Sequence, residues 1–218
     1  MRRGLLLTAS LAIAVFMAGC GTRTSQPAEE TTQTVIQETT AETTQTNTKG
    51  VLPQYVYPEG NSPTAAVADY MLTEFSKNYD STDVSIPSIT VIEDEDNDPA
   101  DVKIWGIFEL DNYNLKGDTL ETQSGGVYAG LMHITTDESG KYTVTSVDLV
   151  EDGSDFDSSA KEIFGKYYDE FMEEYSDDAE RAETRKDFIE DYVEANQLPI
   201  KQFKDYGWDP VTLDLDDD

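Results

Sequence analysis

His133 is the only histidine in the chain and Cys20 the only cysteine, and together they bound the chemistry open to it. A lone histidine excludes multi-histidine metal centres and leaves one imidazole as a candidate general base. Along 127–134 both strand faces are partly apolar, so parity does not decide whether His133 meets a pocket or water. Paired carboxylates are the other option. Glu109 and Asp111 lie two apart on one strand face, and a glycosidase needs two acids about 5–9 Å apart in a cleft. With 45 acidic residues, coincidental pairs are expected, so this spacing alone assigns nothing. Ser124-Gly125-Gly126 makes neither a nucleophile elbow nor a phosphate loop, and its glycines fit a tight turn. The sequence contains no H-E-x-x-H, cysteine cluster or dinucleotide fingerprint, and no cofactor is implied.

Two acidic runs invite a calcium reading. The stretch 93–101 places carboxylates at the first, third and fifth positions of an EF-type loop. It then sets Pro99 where the sharp turn needs glycine and Trp105 where the bidentate acid belongs, so the EF-hand reading fails. The run 151–157 packs acids around Gly153 without a recognisable ligand spacing and reads as a solvated lead-in to a helix. No metal site is assigned. Aromatic residues are the better lead for binding: Trp105, Tyr113 and Tyr128, with His133, form the candidate ligand-binding set. Tyr113, inside the polar run Asp111-Asn112-Tyr113-Asn114, is the one expected to be exposed.

The elements that must position these residues follow from periodicity. Ser62 before Pro63, with Val67, Tyr70, Met71 and Phe75 at helical spacing, predicts a helix reaching to about 78. Strands are expected at 88–92, 102–110, 119–122, 127–134 and 142–149, and their short connections require antiparallel neighbours. Gly106 and Gly130 suggest bends or bulges. Ser159 with Glu162 reads as a capping box opening a helix with a stripe from Ile163 to Tyr175. A second helix is expected over 179–194 with Ala182, Ile189, Tyr192 and Val193 inward, after which Ile200, Phe203, Tyr206 and Trp208 dock the tail. These elements predict an α+β domain: an N-terminal helix packed on a curved antiparallel sheet of four to five strands, followed by C-terminal helices.

The N-terminus carries an address. Arg2 and Arg3 precede 16 uncharged residues, 4–19, and Cys20 follows Ala18-Gly19. Such a run spans about 24 Å as a helix, short of a ~30 Å hydrocarbon core, and reads as a removed signal peptide. Residues 1–19 are thus expected to be a leader. Residues 20–50 are expected to be Cys20 plus a disordered Thr/Gln/Glu tether, and 51–218 a single acidic domain. The formal charge of −30 becomes −32 once Arg2 and Arg3 are removed, a field that repels nucleic acid and anionic headgroups.

The run ending Met17-Ala18-Gly19-Cys20 resembles the bacterial lipoprotein signal, in which the cysteine is lipidated with diacylglycerol and palmitate. The stretch from Val102-Lys103-Ile104-Trp105-Gly106 to Gly207-Trp208-Asp209-Pro210 resembles a group of uncharacterised exported proteins and lipoproteins of anaerobic Firmicutes. A nuclear-transport-factor-like or cystatin-like sheet wrapped about the first helix is the accompanying fold expectation. The resemblance implies anchoring to the bilayer through Cys20 at the outer face of the bacterial cytoplasmic membrane, and transfers no catalytic residue. The expected function is a noncatalytic ligand-binding or scaffold domain, its partner a small molecule, a cell-wall fragment or a basic protein and not nucleic acid. The alternative is a small-pocket hydrolase or isomerase using His133 or an acidic pair.

Overall fold

The computed structural model describes residues 52–98 and 100–215. The expected leader, Cys20 and the expected Thr-rich tether lie outside the described residues. No helix among those described is long and apolar enough to cross a membrane.

Helix α1, Pro63–Thr73, begins where its sequence signals it: the Ser62 hydroxyl accepts from the Ala65 amide at 3.0 Å, and Pro63 takes the first position. Val67, Ala68 and Met71 are fully buried along one face. The helix stops five residues before the expected end. Phe75–Asn78 tightens into a 3-10 turn that lays Phe75 over the Tyr128 ring at a centroid distance of 4.1 Å.

The sheet has strands β1 (Val84–Glu95), β2 (Val102–Lys116), β3 (Thr119–Thr136), β4 (Tyr142–Leu149), β5 (Gln202–Lys204) and β6 (Val211–Thr212). Their order is β1-β2-β3-β5-β6, with β4 also paired to β3. The first four strands join neighbours through short turns and run antiparallel. β5 runs parallel to β3, setting Leu120 against Phe203. The expectation of a curved, purely antiparallel sheet of four to five strands is therefore wrong: the sheet is mixed, six-stranded and flat, with helices before and after it. Short connections constrain only sequential strands. β5 returns to β3 after the whole helical segment, a connection long enough for a parallel crossover. Gly106 and Gly130 lie directly opposite each other in register, and on its other side Gly106 pairs with Val91 at the edge of an irregularity in β1. The register shift at Val91/Glu93 thus faces Gly106 and Trp105, and two more fall at Asn112/Tyr113 and His133/Ile134.

One sheet face, bearing Ile104, Phe108, Leu110, Met132 and Ile134, packs against α1. The opposite face carries two apolar clusters. Trp105, Ile107, Ala129 and Leu131 lie with Ala160, Phe164 and Phe171 of helices α2 (Phe156–Phe164) and α3 (Tyr168–Ser176). Val84, Ile86, Tyr113 and Leu120 lie with Ile189, Tyr192 and Val193 of helix α4 (Asp178–Ala195). Between the clusters, β2 presents Glu109 and Asp111.

The helical segment differs in detail from expectation. Ser159 opens no helix; it sits inside α2, donating to the Asp155 carbonyl at 2.8 Å and accepting from the Glu151 amide at 2.9 Å. Gly165, at φ +51°, breaks the aromatic stripe into two helices. Asp177 caps α4 by accepting from the amides of Ala179 and Glu180, and Ala182 is exposed rather than inward. Ile200 and Phe203 dock as expected, but Tyr206 and Trp208 face solvent, because the chain turns sharply there. That turn is closed by the Trp208 amide on the Asp205 carbonyl.

Candidate functional site

The four residues singled out for ligand binding are not brought together. Trp105 is buried under α2, donating Nε1–H to the Ile163 carbonyl at 2.9 Å, and its ring tilts against Tyr167. Tyr113, expected to be exposed, is fully buried beneath α4. The polar run misled because strand alternation sends Asp111 and Tyr113 to the helix-covered face. Tyr128 lies on the α1 face, its hydroxyl 2.7 Å from that of Tyr79. His133 is held at both nitrogens: Nδ1 lies 2.7 Å from Asp101 and Nε2 3.4 Å from Asp148. The hydrogen bond from His133 lowers the Asp101 pKa. Among the described residues no three His, Cys, Asp or Glu side chains are placed to hold an ion.

The pair Glu109 and Asp111 does occupy a special place, at the centre of a polar cluster walled by the two apolar ones. Arg185, on α4, reaches down to it. Its Nε lies 2.9 Å from both Asp111 Oδ2 and the Tyr113 hydroxyl. Its terminal nitrogens meet both Asp205 oxygens at 2.9 and 3.0 Å, and one also donates to the Thr122 hydroxyl at 2.9 Å. The guanidinium plane lies 5.0 Å from the Phe203 ring centre and 5.5 Å from that of Tyr113. One side chain thereby ties β2, β3, α4 and the end of β5 together, satisfying its donors in a place where an unpaired cation would be strongly unfavourable. Burial pushes Asp111 up to about 7 despite Arg185, with Glu109 and Asp205 adding to the rise. Burial also raises Glu109, against the pull of Arg185 and Arg181. Asp205 moves down: its burial is outweighed by the hydrogen bonds from Arg185 and Thr122. Gly125 makes room for this cluster, because a Cβ there would overlap the Asp111 carboxylate; its role is space and not a turn.

Concave space lies on the other side of β1. A groove of about 570 Å³ opens between residues 54–56, α1 and the loop 79–83. Its floor is polar. Ser85 donates to Asn112 Oδ1 at 2.6 Å, and the Asn112 amide donates to the Ser124 hydroxyl at 3.2 Å, with Asn112 only 2 % exposed. Tyr79 forms part of one wall, where Gly126 leaves space for its hydroxyl. Tyr55 forms part of another; it is 4 % exposed, and its buried hydroxyl has no hydrogen-bond partner among the described residues. The charged side chains lining the groove are Asp69, Asp80 and Asp83, with no lysine or arginine among them. Asp83 is fixed by accepting from the Leu115 amide at 2.9 Å. A preformed groove of this volume, with a few convergent polar groups, suits a small ligand carrying a positive charge. Sequence reasoning missed it because its lining comes from short segments far apart in the chain, none with a periodic signature.

No family model, no curated protein and no solved structure matches the chain.

Proposed function

We propose that the chain is a noncatalytic binding domain, tethered through a lipidated Cys20 at the outer face of a bacterial cytoplasmic membrane. In this reading it holds a small amine-bearing ligand, such as a cell-wall fragment with a free amino group. The observation that carries the reading is the groove between α1 and β1: a fixed hydrogen-bonding floor at Asn112 and Ser85, with carboxylates as its only charged lining. Two of the three residues considered for chemistry are otherwise engaged. Asp111 is held by Arg185, and His133 by Asp101 and Asp148. The leader and the Thr-rich tract support the tethered placement by their composition.

Two measurements test it. Palmitate labelling in a bacterial host should mark the wild-type chain and vanish in Cys20→Ser. Thermal-shift titration with amine-bearing peptidoglycan fragments should raise the melting temperature, and the combined Asp69→Asn and Asp80→Asn variant should lose most of that rise. Turnover in a substrate screen that disappears with Glu109→Gln or His133→Ala would overturn the noncatalytic reading.

A further inference from the structure

Strand β3 is longer than its partners on one edge. β2 accompanies it from Thr119 to Ile134 on one side. On the other side β5 covers only Thr119 to Glu121, and β4 only Gly130 to Thr136. The Thr122 hydroxyl closes one end by donating to Asp205 at 2.6 Å, and the Val150 amide closes the other on the Ala129 carbonyl at 2.8 Å. Between these points no described strand pairs with residues 123–128 on this edge, a gap of about 20 Å at ~3.4 Å per residue. The Ala129 carbonyl points to the β4 side. Main-chain groups alternate along an antiparallel ladder, so those of Val127 and Gly125 point into the gap as well.

Edges of this kind are normally blunted by charge, proline or cover. The outer strand β1 follows that rule, with Pro87 and the acids Glu93, Asp94 and Glu95. The gap does not: residues 122–129 contain no charge and no proline, and Gly125 and Gly126 let another backbone approach closely. Apolar side chains surround it. Val127 is 43 % exposed in the gap and Leu149 37 % at one end, while Tyr206 and Trp208, 97 % and 75 % exposed, stand on the turn that follows β5 at the other. These are four of the seven exposed large apolar residues among those described, so the described apolar surface is concentrated here.

Charge selects the occupant. Glu109 lies directly opposite Val127 on β2, and Asp111 opposite Gly125. Arg185 is already engaged by Asp111 and Asp205, whereas Glu109 has no ion-pair partner among the described residues. Glu151 and Asp152 follow Val150 at one end, and the whole chain carries −30. A second copy of the chain, or its own Glu-containing tract 21–50, meets repulsion.

We infer that this gap is a docking site for an extended, basic segment of another protein, which completes the sheet between β4 and β5. Its main chain pairs with Gly125 and Val127, and its lysine or arginine side chains reach over Gly125 toward Glu109. The site is separate from the groove beside α1 and stands whether or not that groove binds a ligand.

The test is amide hydrogen exchange on the full chain in detergent, with the peptide acetyl-Lys-Val-Lys-Val-Lys-Val-Lys-amide as probe. The Gly125 and Val127 amides should exchange rapidly alone and at least tenfold more slowly with the peptide, and the effect should weaken as salt is raised. An N-methylated version and the Glu-for-Lys version should give no protection. Val127→Lys, which leaves the backbone intact, should abolish protection, and Glu109→Gln should weaken binding about fivefold, the equivalent of one partly shielded ion pair. The proposal is overturned if those amides are already slow in the chain alone, if they slow with protein concentration, or if the acidic peptide protects them equally.

Discussion

Arg185 Nε and Asp111 Oδ2 stand 2.9 Å apart, with both side chains nearly closed off from water, at the seam between the two apolar clusters beneath the helices. The pair sits among a surplus of negative charge, since Glu109 and Asp205 share the same small volume. Among the described residues, Arg185 is therefore the only cation directly bound at this junction of four elements. Burial works against its charge, but Tyr113, Asp205 and Asp111 outweigh it and hold it protonated.

Arg185→Met keeps the bulk between Tyr113 and Phe203 and removes the charge. It leaves Asp111 buried without a counterion, which is expected to destabilise the fold by about 3–5 kcal/mol at pH 8. Protonation of Asp111 relieves that penalty, so the loss should shrink toward pH 5. Urea midpoints of the two proteins at both pH values measure it, and an equal loss at each pH would contradict the arrangement.

The wild-type protein should itself become less stable as pH rises through neutrality. Burial sets Asp111 at about 7, well above the ~3.9 of the unfolded chain. Between those values the native state holds a proton that the unfolded state has released, so stability falls with rising pH. The full fall from this one group is of order 2–4 kcal/mol by linkage, complete above about pH 8. Glu109, also raised, acts in the same direction. Asp205 acts oppositely: its contribution is present above its unfolded value and is lost only as pH falls through its lowered native value. Urea titrations from pH 5 to 8 should show the decline, and Asp111→Asn should flatten it. The general repulsion of a −30 chain would persist in that variant and so is separated from the Asp111 contribution.

Local signals were read where the deciding interaction is local. The Ser62 cap and Pro63 place the start of α1, the short turns fix the antiparallel order of β1 to β4, and Ile189, Tyr192 and Val193 mark the inward face of α4. What escaped depends on distant partners. Gln202-Phe203-Lys204 is too short to show a strand period, yet its pairing with Thr119 to Glu121 is what makes the sheet mixed. Glu109 and Asp111 were visible as a pair on one face, but nothing near them in the chain announces Arg185, more than seventy positions later. Tyr113 looked solvent-facing from its polar neighbours and is buried because its strand parity, not its neighbours, sets its direction.

Gly125 and Gly126 divide the sheet between its two polar features, and substitutions there should separate them. A Cβ at Gly125 overlaps the Asp111 carboxylate and the Leu110 carbonyl, so Gly125→Ala must displace backbone or break the Arg185 cluster. A Cβ at Gly126 overlaps only the Tyr79 hydroxyl, the far end of a side chain that can swing away. Gly125→Ala is expected to cost about 2–4 kcal/mol and Gly126→Ala about 1 kcal/mol. Chemical denaturation compares them directly. Equal losses would show that the Asp111 contact is softer than its geometry implies.

Tyr55 offers the cleanest separation of stability from binding. Its hydroxyl is buried in the groove wall without a hydrogen-bond partner among the described residues, a state that disfavours folding by about 1–3 kcal/mol. The ring itself is well placed, stacked between Phe188 at 6.4 Å and Tyr192 at 6.2 Å. Tyr55→Phe removes the unsatisfied group and keeps the packing, so the free protein should be unchanged or up to about 1 kcal/mol more stable. If the hydroxyl is kept for a ligand seated in the groove, the same variant should show a smaller thermal shift with the amine-bearing fragment. A more stable free protein with an undiminished shift would place the ligand's contacts on Asn112 and the aspartates alone. A less stable free protein would mean that the hydroxyl is satisfied in solution by bound water, which a groove of this size can admit.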